Sequence, residues 1–191
     1  MQNLNNIEIS EYNPNWPKQF AEQADKIAAA LGENCIAIHH VGSTAVPGLA
    51  AKSKIDIIAE VKDLNFDHKN LLDLNYEYRG GYNIPLRKSF TYRSKDLKVN
   101  LHVFEKNDPE IELNLLFRDY LRNNDQARDD YAKLKYKLIA DEESHKKDGP
   151  MYRGYTLSKH SFIETILKNT GFNRLRFTIC THHAEWNAAK Q

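Results

Sequence analysis

Residues His39 to Ile58 read HHVGSTAVPGLAAKSKIDII. A Gly42-Ser43 pair closes one apolar run, and Asp56 sits inside the next, flanked by Ile55, Ile57 and Ile58. A carboxylate among isoleucines is costly to bury, so it needs a partner or a job. Glycine at a strand end lets the chain turn tightly and lets a ligand approach backbone N–H groups. With a helix beginning just after it, those amides and the helix dipole would suit a phosphate. Asp56, twelve intervening residues beyond Ser43, would lie beside that turn and could hold a divalent cation. The chemistry implied is recognition of a metal-bound polyphosphate, with Gly42, Ser43 and Thr44 on the phosphate and Asp56 on the cation.

Other residue types extend or compete with that reading. His40 precedes the turn, and His102 is central to a later strand that could neighbour the Asp56 strand. Two imidazoles and one carboxylate suit Zn²⁺ or Mn²⁺ better than Mg²⁺, which prefers oxygen. The competing reading buries both histidines and bonds them to Asp56 or to backbone. Lys52 and Lys54 flank the second strand's entry, where a lysine is ordinarily solvated, though Lys52 could reach the same anion. Ser43 lacks the Gly-x-Ser-x-Gly elbow of a nucleophile, which favours phosphate contact over covalent catalysis. Arg118 and Arg122, at i and i+4 of FRDYLRNN, either clamp an anionic substrate or pair with Asp119. Tyr155 and Lys159 share that spacing and that ambiguity. Arg87, Lys88, Arg93, Lys95 and Lys98 alternate with Phe90 and Tyr92, as on a solvated edge hairpin or a surface for triphosphate or RNA. Nucleic acid is the less favoured of these. CTHHAEW gathers Cys180, His182, His183 and Glu185, but not at the spacing of a closed zinc site.

These residues need elements to hold them. NPNWPKQFAEQADKIAAALGE has helix punctuation, with Asn15 as cap, Pro17 in the first turn, Phe20, Ala24, Ile27 and Leu31 at helical spacing, and Gly32 as the stop. CIAIHHVGS predicts a strand with Ile36, Ile38 and His40 on one face and Ala37, His39 and Val41 on the other. KIDIIAEV predicts a strand covered on both faces. DHKNLLDLNYE predicts a short helix, and SFTYRSKDLKVNLHVFE a hairpin turning at Ser94 to Asp96. Ile7-Glu8-Ile9 predicts a short early strand. Beyond Pro109 the periodicity is helical, in EIELNLLFRDYLRNN, DQARDDYAKLKYKLIADEESHKK and TLSKHSFIETILKNTG. The fold class is α+β, a small mixed sheet with flanking helices and a helical C-terminal half. One domain over residues 1–191 is expected, with 172–191 as an extension packing on it.

Hydrophobic content of 41%, charged content of 28% and a net charge of +1 are those of an ordinary globular chain, with no global electrostatic case for nucleic acid or membrane binding. Two cysteines without CxxC spacing fit a reducing compartment, and no apolar run approaches a membrane span. A cytoplasmic location is expected. The oligomeric state is not legible.

The spacing hydrophobic-Gly-Ser, then hydrophobic-Asp-hydrophobic, matches the nucleotidyltransferase superfamily pattern. The fuller string HHVGSTAVPGLAAKSKIDII, with LHVFE and LLFRDYLRNNDQARDDYAKLKYKLIAD, closely resembles the GrpB family, which has the nucleotidyltransferase fold. Its members are found alone or fused to dephospho-coenzyme A kinase. The resemblance covers roughly Tyr12 to Gly171 and implies a nucleotide or phosphorylated small molecule as ligand.

One departure matters. Active nucleotidyltransferases carry a second carboxylate two residues after the first, about 6.6 Å along the strand. That position is Ile58 in this chain, and Glu60 lies about 13 Å from Asp56, too far to replace it. KVNLHVF offers Asn100 and His102 where a third acid usually stands. Three functions follow as expectations. The first is a transferase using Asp56 and His102 with a divalent metal (Mg²⁺, Mn²⁺ or Zn²⁺), and with Gly42, Ser43, Thr44, Lys52, Arg118 and Arg122 on phosphate. The second is a ligand-binding module that has lost two-metal chemistry. The third is a hydrolase built on His40, Asp56 and His102.

Overall fold

The computed structural model of the protein describes residues 8–81, 86–141, 147–148, 151–152 and 159–172. Helix α1 (Trp16–Leu31) starts where Asn13 Oδ1 accepts the Asn15 N–H at 2.9 Å and carries proline in its first turn. Its buried stripe is Trp16, Gln23, Ile27 and Leu31, so a glutamine takes a core position expected for Ala24. Gln23 is satisfied there, because Tyr76 donates its hydroxyl to Gln23 Oε1 at 2.9 Å.

Five strands form one sheet: β1 (Cys35–Val41), β2 (Ile55–Val61), β3 (Glu77–Tyr78), β4 (Arg87–Arg93) and β5 (Lys98–Glu105), in the order β1-β2-β5-β4-β3. β2 and β5 pair in parallel and every other pair is antiparallel. The short helix α2 (Lys69–Asp73) leads into β3. β2 is apolar on both faces because both are covered. One face, with Ile55, Ile57, Val99, Leu101 and Phe90, packs on α1 through Trp16, Ile27 and Leu31. The other, with Val41, Ile58 and Phe104, packs on Ile111 and Leu115 of α3 (Pro109–Asn123). Burying a side chain such as Ile57 contributes about 1.5–3 kcal/mol, so the strand carrying Asp56 is firmly anchored.

Asp108 caps α3 by accepting the Glu110 N–H at 2.9 Å, and Asn124 caps α4 (Asp125–Ala140) by accepting that of Ala127 at 2.9 Å. A third cluster joins Val46 and Leu49, from the loop after β1, to Leu121, Tyr131 and Ile166 of α3, α4 and α5 (His160–Asn169). That cluster docks the helical half against the Gly42-Ser43 turn.

Three expectations need correction. No strand runs through Glu8 and Ile9; Ser10 instead makes an isolated bridge to Ala51, with bonds of 3.0 and 2.9 Å, and Ile7 lies outside the described residues. α4 stops at Ala140, where Asp141 turns extended at φ −89° and ψ 117°, rather than continuing to Lys147, which lies in a strand; residues 142–146 are outside the described residues. Two short paired strands, β6 (Lys147–Asp148) and β7 (Met151–Tyr152), follow, where only helix was expected. Tyr155, the CTHHAEW cluster and the rest of the extension from 173 onward fall outside the described residues.

Candidate functional site

Strand register decides which side chains meet. Asp56 pairs with Val41 on β1 and Asn100 on β5, so these three share one face of the sheet. The Asn100 amide donates to Asp56 Oδ1 at 2.8 Å, and Lys54 Nζ stands 3.9 Å from the same oxygen. Gly42 comes so close that a Cβ built on it would lie 2.8 Å from Asp56 Oδ2. Its backbone, at φ 71° and ψ −171°, is in a region open essentially to glycine alone. The turn and the acid are therefore adjacent, as the spacing implied.

A pocket of about 180 Å³ opens beside them, lined by Ser43, Thr44, Ala51, Lys52, Lys54, Asp56, Lys135 and Lys159. Lys54, expected to be solvated, lines the pocket instead, and Lys135 is a residue that sequence reasoning missed altogether. It is 2% exposed, reaches in from α4, and places Nζ 3.3 Å from Ser43 Oγ while also donating to the Ala50 carbonyl. The available signal was its place in the buried stripe Tyr131, Lys135 and Leu138, where a lysine interrupts an apolar helix face. Burial, reinforced by Lys159, pushes the Lys135 ammonium down to about 7. Burial and Lys54 bring Lys52 down to about 8, and burial with Lys52 and Lys54 does the same to Lys159. Each shift has the same physical cause: cations crowded in a poorly solvated space, with one carboxylate among them.

The Ser43–Ala45 segment after Gly42 is a single 3-10 turn, too short to present a helix dipole to an anion. The turn is held from behind. Thr44 donates its hydroxyl to the Lys54 carbonyl at 3.3 Å, which leaves the His40 Nε2–H as donor to Thr44 Oγ1 at 3.0 Å. Arg118 donates to the His40 carbonyl at 3.0 Å and to Asp119, and Arg122 donates to the Ala45 carbonyl at 2.8 Å. Both arginines thus brace the main chain on either side of Gly42-Ser43-Thr44, and neither lines the pocket.

The expected metal trio does not assemble. His40 pairs with Ile57, so it points to the opposite sheet face from Asp56 and stacks on Phe20 of α1 at a centroid distance of 4.6 Å. His102 shares the Asp56 face but sits beside Ile58 in register, 3.3 Å from Ser89 Oγ through Nδ1, and does not line the pocket. Burial, with Arg122 acting on His40 and Arg87 on His102, pushes each imidazole down to about 4. Among the described residues, no group of three or more His, Cys, Asp or Glu side chains is placed to hold a metal. The basic hairpin is not a sheet edge: β5 lies between β2 and β4, β3 pairs with β4, and Arg87, Lys88 and Arg93 each donate to main-chain carbonyls.

The fold and turn define an α+β protein consistent with the nucleotidyltransferase-like layout. The family model described as GrpB protein matches residues 6–169, and the chain belongs to the GrpB family. The UPF0157 protein BH1888 of Halalkalibacterium halodurans is 37% identical over 167 residues, 85% of this chain and 81% of that one. The UPF0157 protein YqkA of Bacillus subtilis is 31% identical over 188 residues, 94% of this chain and 53% of its own length. The crystal structure of the conserved protein GrpB from Enterococcus faecalis superposes with a TM-score of 0.70 at 32% identity, covering 85% of this chain and 96% of that one. Among the described residues no helix is long and apolar enough to cross a membrane.

Proposed function

We propose that the protein binds the phosphate groups of a nucleotide or another phosphorylated small molecule in the pocket beside Gly42-Ser43. The observation that carries this reading is the convergence of Lys52, Lys54, Lys135 and Lys159 on Ser43 and Thr44, with Asp56 as the sole carboxylate among the described residues of the lining. Lysines drawn from the β1–β2 loop, α4 and the start of α5 meet in a space where they repel one another. Such an arrangement is stabilised when an anion enters. Two-metal nucleotidyl transfer fits less well. The position for its second acid is Ile58, 1% exposed and packed on Val41, Phe104 and Ile111. A binding module that kept the phosphate cradle matches the residues better than a transferase.

Equilibrium titration with pyrophosphate and with ATP, CTP, GTP and UTP at low ionic strength tests the proposal. Lys52→Gln and Lys135→Gln should each weaken binding about tenfold, the scale of removing one charge-assisted hydrogen bond. Unaltered affinity in both variants, with folding intact, would place the ligand elsewhere.

A further inference from the structure

The nucleotidyltransferase-like layout implies divalent cations at the carboxylate beside the turn, and the donor set can be tested against that requirement. Mg²⁺ wants several oxygen ligands, usually one or two carboxylates beside substrate phosphate. Among the described residues the lining offers one carboxylate, Asp56, and one of its oxygens already accepts from Asn100 and faces Lys54 Nζ at 3.9 Å. Gly42 packs against the other oxygen closely enough that an added Cβ would come within 2.8 Å of it. A divalent ion on Asp56 would also meet the repulsion of Lys52, Lys54 and nearby Lys159. The residues do not fit the metal.

We infer that the pocket takes the phosphate chain of its ligand directly on lysine ammonium groups, without a divalent ion, and that Lys54 stands where the cation would. This rests on the phosphate-binding reading above. Among the described residues the lining brings together four lysines and one carboxylate, which suits a polyphosphate better than a neutral or singly charged group. The pocket has a volume of about 180 Å³. That is well below the roughly 300 Å³ at which pockets begin to enclose a whole ligand of nucleotide size. The phosphate chain fits this space, and a nucleoside, where present, would extend beyond the lining formed by the described residues.

The sign of the Asp56 effect separates this site from a metal site. Without a metal, Asp56 repels the incoming anion, so Asp56→Asn, which keeps an acceptor for Asn100, should tighten binding about tenfold. Lys54→Gln should weaken it by a similar factor. In a metal-holding site both signs reverse, because Asp56 recruits the cation and Lys54 opposes it. The experiment is calorimetric titration of the full chain with sodium tripolyphosphate in excess EDTA, repeated with millimolar magnesium or manganese, on wild type and both variants. Melting temperatures are measured first to confirm that each variant folds. Affinity in EDTA equal to or above that with metal, with Asp56→Asn tighter, supports the inference. Binding that appears only with metal, or Asp56→Asn weakened tenfold, overturns it while leaving the phosphate pocket standing. Absence of binding by tripolyphosphate, pyrophosphate and nucleotides under both conditions overturns the pocket reading and this inference with it.

Discussion

Gly42→Ala should be among the most damaging single substitutions outside the hydrophobic clusters. At φ 71° and ψ −171° an L-residue costs about 1–3 kcal/mol in backbone strain. The new methyl would lie 2.8 Å from Asp56 Oδ2 and 3.2 Å from its Cβ, inside the 3.5–4.0 Å of an ordinary contact. Asp56 cannot yield freely, because β2 is paired on both sides and the carboxylate is bonded to Asn100. Relieving such an overlap by shifting backbone or side chain costs about 1–3 kcal/mol more. The sum is about 2–6 kcal/mol, which for a chain of this length lowers the melting temperature by about 10 °C. Urea denaturation followed by circular dichroism measures it, with Gly80→Ala as the control. Gly80 has a similar φ of 69°, but among the described residues nothing lies within 4 Å of its added Cβ, so that variant reports the positive-φ strain without the Asp56 overlap. A loss below about 0.5 kcal/mol, or one no larger than that of Gly80→Ala, would refute the close approach of Gly42 to Asp56.

The depressed lysines make two pH predictions. Lys135, at about 7 when folded against 10.5 when unfolded, binds fewer protons in the native state, so its contribution makes stability rise with pH across that interval. The melting temperature in phosphate-free buffer should therefore increase between pH 7 and 9, and Lys135→Met should flatten the slope. Tripolyphosphate should bind with net proton uptake at pH 8, seen by titrating in buffers of different ionisation enthalpy, because it draws Lys52, Lys135 and Lys159 toward their charged forms. Identical heats in every buffer would contradict this. His40 and His102, held near 4, should stay neutral in NMR titrations until well below pH 6.5, and stability should fall as the pH drops through the interval between those values. A midpoint near 6.5 for either ring would show that it is solvated. Arg118→Ala should cost about 1–3 kcal/mol in urea unfolding by freeing the His40 carbonyl from a charge-assisted bond, and a change within about 0.5 kcal/mol would remove its bracing role.

Much of the scaffold was legible because its signals are local. Proline and glycine punctuation marked α1, alternation marked β1, the double-sided isoleucine run marked the buried β2, and the polar turn at Ser94 marked the hairpin. Those patterns reflect backbone preferences and burial period within a few residues. The Gly42-Ser43 turn beside Asp56 and the apolar residue at Ile58 were visible for the same reason. The composition of the pocket was not. Alternation placed His40 opposite His39, but the β1–β2 register alone determines that Asp56 lies on the His39 face. Arg118 and Arg122 read as anion clamps or as partners of Asp119 until α3 docked, when carbonyls 78 and 77 residues away accepted their hydrogen bonds. Lys135 meets Ser43 across 92 residues, because the burial of Val46, Leu49, Tyr131 and Ile166 in one cluster settles where α4 lies. Helical periodicity specifies which face of α4 is buried, whereas the competition among distant apolar faces for one core decides what that face touches.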